Sequence, residues 1–402
     1  MPFKNKIEAV NQYIVSVQDE LLADLKSLIG IPSITYQEGN AVEFLAQKMR
    51  SFGFDEVKVD PVGNLLGRVG SGKPVFLYDA HIDTVGAGEL SDWAHPPFEA
   101  EFKNGILSGR GAVDDKGCLM AITYAARALK ALNLDKGFTL WVSASVAEED
   151  VEGSCVAAMM KESPDLKPDY ILVAEASENR IIRGHKGRAL IQITIPGKAA
   201  HASAAWHGEN ALIKALPVVE RIDGFNAFIE DPFLGKGTIE VTNLLCDTPS
   251  LNTIPGKATI ICDRRISCAE TQAEIIREAE NFIRDIPGAK AAINTEKVTS
   301  YTGYQIECED YFPSWVIAEE HPLIQAGVKT YELLFNKKAE VTRWDFCTNA
   351  THLCGRTGIP SMGFGPGEES LCHTSQDQVS FTELLDALRF YVMLPLVASH
   401  NS

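Results

Sequence analysis

The chain has 402 residues, of which 45% are hydrophobic, so it is long enough to bury a sizeable core and to form two domains. Its 54 acidic residues outnumber its 37 basic residues, and the net charge of -17 opposes binding to nucleic acid or to an anionic membrane. The 9 cysteines follow neither zinc-finger nor CxxC spacing, and no stretch reaches ~20 apolar residues or resembles a secretory signal, so we expect a cytoplasmic protein.

Helix and strand patterns alternate along the first part of the chain. Apolar residues at helical spacing predict two amphipathic helices or one kinked helix over residues 3–29, and a further helix over residues 42–52. After the strand-like EVKVD and LLGRV, the apolar run 74–83 predicts a buried strand of a parallel sheet. A hairpin that turns at residues 103–105 and a helix that begins after Gly117 continue the βαβ order.

Reactive side chains follow several of these apolar runs at the position where each run ends. Because the carboxyl ends of parallel strands meet at one edge of a sheet, we expect these side chains to converge. Nitrogen and oxygen ligands without a thiolate suit Zn²⁺, Co²⁺ or Mn²⁺, and the set is large enough for two ions and a general base. Its members are His81, Asp83, Asp114, Glu148, Glu149, Glu175 and His373.

The adjacent carboxylates Glu148 and Glu149 are the most informative part of this set. They end the apolar run TLWVSASV, where like charges cost stability unless a cation or a proton lies between them. The HID segment at residues 81–83 is weaker evidence, since histidine and aspartate at a strand end are more often turn residues. The pair therefore indicates a metal site more strongly than HID does.

A different order of elements begins near Gly187. Residues 187–298 read as strand, helix, two strands, helix and strand, which is the order of a ferredoxin-like unit. Helical patterns at 321–335 and 381–398 then complete the first domain. We therefore predict an α/β fold, with a mixed, largely parallel sheet flanked by helices in a discontinuous domain (1–186 and 299–402). An inserted ferredoxin-like α+β domain occupies 187–298.

Six short motifs occur in order over nearly the whole chain: HID, GRGAVDDKG, AEED, AEAS, KAAHAS and the Gly-Pro-Gly before His373. Together they resemble the co-catalytic zinc peptidase family, whose motifs have the same order. This family includes acetylornithine deacetylase, succinyl-diaminopimelate desuccinylase, aminoacylases and glutamate carboxypeptidases. The segments FLGKGT and SYTGYQIECEDYFPSW are most similar to its branch of selenium-metabolism-linked hydrolases.

The resemblance implies roles for the residues at the strand ends. His81, Glu149, Glu175 and His373 match terminal metal ligands, and Asp114 matches the carboxylate that bridges two ions. Glu148 matches the general base, and Asp83 matches the carboxylate that orients His81. The family also has a cis peptide at the position of Asp114–Asp115. The implied cofactors are two divalent ions, zinc before cobalt or manganese.

Substrate contacts are implied at further positions. His201 matches a histidine that reaches the site of a neighbouring subunit, so the resemblance implies a homodimer formed through residues 187–298, which would also serve as a lid. Asn252 and Arg265 match positions that face a substrate carboxylate, and Arg264 is expected to be a solvated neighbour. The segment FCTNAT departs from the Gly-Gly-Thr-Asp-Ala of many members. The remaining positions predicted to contact substrate are Thr348, Asn349 and Gly365.

The expected activity is metal-dependent hydrolysis of the amide bond of an N-acyl amino acid or a small peptide-like substrate. A dipeptidase or aminopeptidase of the same family is an alternative, although Glu at position 175 leans against a dipeptidase. A non-catalytic metal-dependent binding protein is another alternative. The presence of Glu148 argues against it, because a binding protein needs ligands but no base.

Overall fold

The computed structural model describes residues 3–246, 248–267 and 270–400, so Cys268 lies outside the described residues. Within these ranges no helix is long and apolar enough to cross a membrane. The helices are α1 (Lys4–Ile29), α2 (Gly39–Ser51), α3 (Lys116–Ala131), α4 (Glu148–Val151), α5 (Ser154–Glu162), α6 (Ala211–Asp223), α7 (Gln272–Phe282), α8 (Pro322–Phe335) and α9 (Phe381–Ala398).

Strands make up two main sheets and several short ribbons. They are β1 (Glu56–Val59), β2 (Leu65–Gly70), β3 (Val75–His81), β4 (Glu101–Lys103), β5 (Ile106–Ser108), β6 (Thr139–Ser145), β7 (Tyr170–Val173), β8 (Ile181–His185), β9 (Gly187–Pro196), β10 (Ala200–His201), β11 (Glu230–Asp231), β12 (Gly235–Lys236), β13 (Thr238–Leu245), β14 (Thr253–Ile254), β15 (Lys257–Ile266), β16 (Lys290–Ile293), β17 (Thr295–Thr299), β18 (Gln305–Glu309), β19 (Tyr311–Phe312), β20 (Trp315–Val316), β21 (Val341–Trp344), β22 (Ser361–Gly363) and β23 (Gln378–Ser380).

The larger sheet is mixed, with a parallel centre. Its strand order is β1-β2-β6-β3-β7-β22-β8-β20, and β21 also pairs with β8. The central strands β6, β3, β7 and β22 run parallel to one another, whereas β1, β2 and β20 pair antiparallel at the two sides. Strand β6 is buried along its whole length, as expected for a strand covered on both faces. The predicted mixed, largely parallel sheet is confirmed.

Helices α3 and α8 pack against this sheet, and α1 and α9 pack beside them. Helix α1 is continuous, because Ile14, Leu21 and Leu28 keep one apolar stripe buried along it. In α9 the ring of Phe390 stacks on Phe364 with 3.8 Å between ring centroids. The C-terminal helix therefore packs onto the segment that follows β22.

The smaller sheet has the order β13-β15-β9-β16, with β19 also paired to β9, and all its pairs are antiparallel. Along β9 every second residue is buried, and α6 and α7 pack on this sheet. The order β9, α6, β13, β15, α7, β16 confirms the predicted β-α-β-β-α-β unit. Its apolar core is a separate cluster between Ala189 and Ile293. The domain bounds at 187 and 298 stay a prediction.

Candidate active site

Neighbouring strands of the large sheet bring the predicted residues together. His81 is the last residue of β3, Glu148 begins α4 just after β6, and Glu175 follows β7 by two residues. Since β3 lies between β6 and β7 in the sheet, these side chains meet at one edge. Asp114 belongs to the loop before α3, and the Asp114–Asp115 peptide is cis, as the resemblance implies.

Asp114 lies between two groups of possible metal ligands. Its Oδ1 atom is 2.9 Å from Nε2 of His81, and the same Nε2 atom is 3.7 Å from Oε1 of Glu175. Its Oδ2 atom is 3.2 Å from Nε2 of His373, and that atom is 2.8 Å from Oε2 of Glu149. Within each group the ligand atoms lie within 4.8 Å of one another. This arrangement suits two divalent cations that share one carboxylate.

The electrostatics of the site also fit bound cations. Burial raises the pKa of Glu149, and the charge of Asp114 raises it further. Burial likewise raises the pKa of Glu175, with Asp115 as the next cause. Hydrogen bonds to Asp114 and Glu149 raise the pKa of His373 to about 10. So many buried carboxylates within one site repel each other, and two divalent cations would offset that repulsion.

Glu148 belongs to neither ligand group, although it lines the same cleft. Its side chain is buried, and burial raises its pKa well above the usual range. The charge of His81 opposes this shift, whereas Glu175 and Glu152 reinforce it. A buried carboxyl group with a raised pKa beside a metal site is suited to transferring protons.

Asp83 connects His81 to the short helix that carries Glu148 and Glu149. Its carboxylate accepts hydrogen bonds from the backbone N–H groups of both glutamates, each at 3.2 Å, and from the hydroxyl of Thr35 at 3.0 Å. Nδ1 of His81 lies 3.0 Å from the backbone carbonyl oxygen of Asp83 and 3.6 Å from its Oδ1 atom. The position therefore suits a residue that orients a ligand, as implied for Asp83. No feature of the sequence singled out Thr35.

Two further buried carboxylates hold the loops of the site, and the sequence did not reveal either of them. Glu38 accepts a hydrogen bond from the backbone N–H of Ala147 at 3.1 Å. Ala147 has a φ of 58° and lies where the chain turns from β6 into α4. Asp377 accepts hydrogen bonds from the N–H groups of Gly111 at 2.6 Å and Val113 at 2.8 Å. Glu38 thus fixes backbone next to the predicted base Glu148, and Asp377 fixes backbone next to the predicted ligand Asp114.

The site opens into a cleft of about 350 Å³. Arg265 lies in it, as predicted for a residue that faces the substrate. Besides the metal ligands and Glu148, the lining residues are Glu152, Arg188, Arg265, Phe346, Cys347, Glu369 and Cys372.

Asn349 is placed in the core, which contradicts the substrate contact predicted for it. Its Nδ2 atom donates to Asp79 and to Ser145, each at 2.9 Å. Its Oδ1 atom accepts from the N–H of Gly153 at 3.0 Å and from the thiol of Cys155 at 3.2 Å. The amide is thus fully engaged with buried partners and is not available to a substrate.

Thr348 and Gly365 are likewise buried and do not line the cleft. The hydroxyl of Thr348 accepts a hydrogen bond from the N–H of Ala350 at 3.1 Å. A Cβ atom at Gly365 would lie 2.3 Å from the carbonyl oxygen of Glu175, so close packing against the strand end requires glycine there. These residues support the site without reaching the cleft.

We expect Asn349→Ala to lower the free energy of unfolding by about 1–3 kcal/mol, because the variant leaves the buried carboxylate of Asp79 short of a donor. Urea unfolding measures the change. Gln305→Ala, at an exposed amide, is the control and should stay within about 0.5 kcal/mol of the original chain. Equal stability of the two variants would contradict a structural role for Asn349.

His201 and Asn252 lie away from the cleft of their own chain. His201 is exposed in β10, which pairs with β14, and its Nε2 atom is 3.1 Å from Nδ2 of Asn252. Neither residue is among those that line the cleft. Trp206 and Leu251, which are close to His201 and Asn252 in the sequence, have exposed large side chains, with relative accessibilities of 77% and 107%.

Arg264 is buried, which contradicts its expected solvation. Its Nε atom donates to Glu278 at 2.9 Å, and its Nη2 atom pairs with Glu270. Side chains alternate across β15, so Arg264 faces the helices of the smaller sheet and Arg265 faces the cleft.

Comparisons with known proteins show the family to which the chain belongs. A family model described as peptidase family M20/M25/M40 matches residues 77–396. The chain is 33% identical over 402 residues to the uncharacterized protein YgeY of Escherichia coli (strain K12), with 98% of each chain covered. It is 29% identical over 370 residues to succinyl-diaminopimelate desuccinylase of Hahella chejuensis (strain KCTC 2396), covering 89% of this chain and 91% of that protein.

A solved structure with a similar fold is the YxeP protein of Bacillus subtilis, described as a dinuclear metal binding peptidase from the M20 family. The TM-score is 0.69 at 15% identity, with 96% of this chain and 99% of that chain covered. The resemblance read from the motifs is confirmed at the level of the family, while the selenium-metabolism-linked branch stays a prediction. The chain belongs to peptidase family M20/M25/M40 and is a metallohydrolase that acts on amide bonds.

Proposed function

We propose that this protein hydrolyses the amide bond of an N-acyl amino acid or a small peptide-like substrate at a site that holds two divalent ions. The position of Asp114 is the observation that supports this most directly, because its two oxygens face two separate groups of ligands. His81 and Glu175 would hold one ion, and Glu149 and His373 the other. Zinc suits this nitrogen and oxygen ligand set, as do cobalt and manganese.

Glu148 is the proposed general base. When bound, the ions would lower the pKa of a water molecule and polarise the substrate carbonyl. Glu148 accepts the proton of the attacking water on its carboxylate and then donates it to the leaving nitrogen. Burial within the cleft raises the pKa of this carboxyl, which favours its holding the proton between the two steps. Asp83 keeps the start of α4 in place through its two backbone hydrogen bonds.

A substrate screen tests this function. N-acetyl, N-succinyl and N-carbamoyl amino acids and dipeptides are offered to the protein with Zn²⁺, Co²⁺ or Mn²⁺ added. We expect metal-dependent release of a free amino acid from at least one N-acyl class. Hydrolysis of dipeptides alone would favour the dipeptidase alternative, and no hydrolysis of any amide would contradict the proposal.

We further propose that two subunits share each active site. The support is that His201 is exposed, bonded to Asn252, and outside the cleft of its own chain. A homodimer formed through the smaller domain would bring His201 of one chain to the metals of the other, where an imidazole can stabilise a developing oxyanion. Closure of that domain would also exclude water from the cleft.

Complementation between two inactive variants tests this sharing. We expect Glu148→Gln and His201→Ala to be nearly inactive alone and to regain activity when mixed and allowed to exchange subunits. The regained activity comes from hybrid dimers, which contain one site with both intact residues. A fully active monomer, or a mixture no more active than its components, would contradict a shared site.

A further inference from the structure

Two arginines face the cleft side by side on neighbouring strands. Arg188 of β9 and Arg265 of β15 are direct partners in the antiparallel pairing, so their side chains leave the same face of the sheet. Both line the cleft that contains the metal residues. Their side chains stay 23% and 34% exposed, so a ligand in the cleft can reach them. Neither composition nor strand pattern marked Arg188 as part of the site.

Like charges directly opposite on a sheet are destabilising unless an anion lies near both. Glu152 and Asp263 supply that compensation here. Arg188 donates from Nη1 to Glu152 at 2.8 Å, and Arg265 donates from Nε to Asp263 at 2.8 Å. Asp263 is 3.8 Å from Nε of Arg188, beyond hydrogen-bond distance. Among the residues that the structure describes, the buried Nε atom of Arg188 has no hydrogen-bond partner.

Contacts around Arg188 fix its guanidinium with respect to the reaction centre. Glu152 follows directly after α4, the helix that begins with Glu148 and Glu149. The guanidinium also lies 5.3 Å from the ring centre of Phe312, whose strand β19 pairs with β9 at Arg188. Arg188 is thus held between the catalytic helix and the smaller sheet, with one donor left free.

We propose that Arg188 acts with Arg265 to bind one carboxylate of the substrate, which makes Arg188 a specificity-determining residue. A carboxylate accepts hydrogen bonds from two guanidinium groups well, because each group offers several donors in a fixed plane. It would accept hydrogen bonds from the exposed donors of both guanidinium groups. Glu152 and Asp263 already pair with the two arginines, so the remaining donors suffice for a single carboxylate. The inference rests on the proposed function.

Binding measurements on an inactive background separate this inference from the proposed function. The background is metal-loaded Glu148→Gln protein. The probes are N-acetyl-L-methionine, whose unbranched side chain adapts to varied pockets, and its primary amide. We expect the acid to bind at least ~10-fold more tightly than the amide. Adding Arg188→Gln should weaken binding of the acid by ~10- to 100-fold and change binding of the amide by less than ~3-fold.

Two more variants test whether the planar guanidinium of Arg188 is required. Arg188→Lys keeps the charge but not the planar donors, so it should lose part of the preference for the acid. Arg277→Gln, at an exposed position of α7, is the matched control and should bind both probes as the background does. If Arg188→Gln does not fold, the binding of the two probes by Arg188→Lys tests the proposal in its place. An Arg188→Lys variant with the full preference for the acid would overturn the proposal.

Different results would contradict the carboxylate role of Arg188 and the proposed function. If Arg188→Gln weakens binding of the acid and of the amide equally, Arg188 only joins the two domains, and its carboxylate role is overturned. Failure of the background protein to prefer the acid overturns it as well. The proposed function fails by a different result, which is that the unaltered chain hydrolyses no amide although the arginines bind the acid selectively.

Discussion

Glu148→Gln is expected to keep its metal ions and to lose about 10²-fold or more of its turnover. Glutamine has nearly the size of glutamate but cannot accept a proton from the attacking water or return one to the leaving nitrogen. Since Glu148 lies outside both ligand groups, its replacement leaves the metal ligands intact. The measurements are kcat and KM on the best substrate of the screen, with metal content determined on the same sample.

Glu43→Gln is the matched control for this change, because Glu43 is exposed on α2. It should have the turnover and metal content of the unaltered chain. Near-normal turnover of Glu148→Gln would remove Glu148 from the mechanism. Loss of metal together with turnover would instead make Glu148 a ligand, which would contradict its position outside both ligand groups.

Asp114→Asn is expected to lower metal content by at least half and to reduce activity by about 10²-fold or more. An asparagine side chain has one neutral oxygen, so it cannot offer an anionic oxygen to each of the two ligand groups that Asp114 joins. The comparison is metal per chain after dialysis, at matched protein concentration.

Asp165→Asn serves as the control for this substitution, since Asp165 is exposed between α5 and β7. The same charge is lost there without any contact with the site, so metal content and activity should not change. Two ions retained by Asp114→Asn would contradict the bridging position.

The positions of the strand ends made the convergence of the site residues predictable from the sequence. His81, Glu148 and Glu175 each follow a run of buried residues, and adjacent strands in a parallel sheet end at the same edge. The ferredoxin-like unit was predictable for a similar reason, because alternating burial in β9 and helical spacing in α6 are visible in the residue pattern.

Residues whose roles depend on tertiary register could not be predicted. The family resemblance marks Arg265 as a substrate residue, but only the pairing of β15 shows that its neighbour Arg264 is buried on the opposite face. Asn349 occupies a position at which family members contact the substrate, but its amide donates a hydrogen bond to Asp79, 270 residues away in the chain. Asp377 is similarly remote from the loop that it holds. Such contacts between distant segments leave no local periodicity.

Metal content measured together with activity tests the two-ion site most directly. The protein is analysed by mass spectrometry for bound metal, treated with a chelator, and then titrated with Zn²⁺, Co²⁺ or Mn²⁺ while hydrolysis is followed. We expect up to two divalent ions per chain, loss of activity in chelator, and recovery as the ions return. Protein that contains no bound ion and stays fully active in chelator would contradict it.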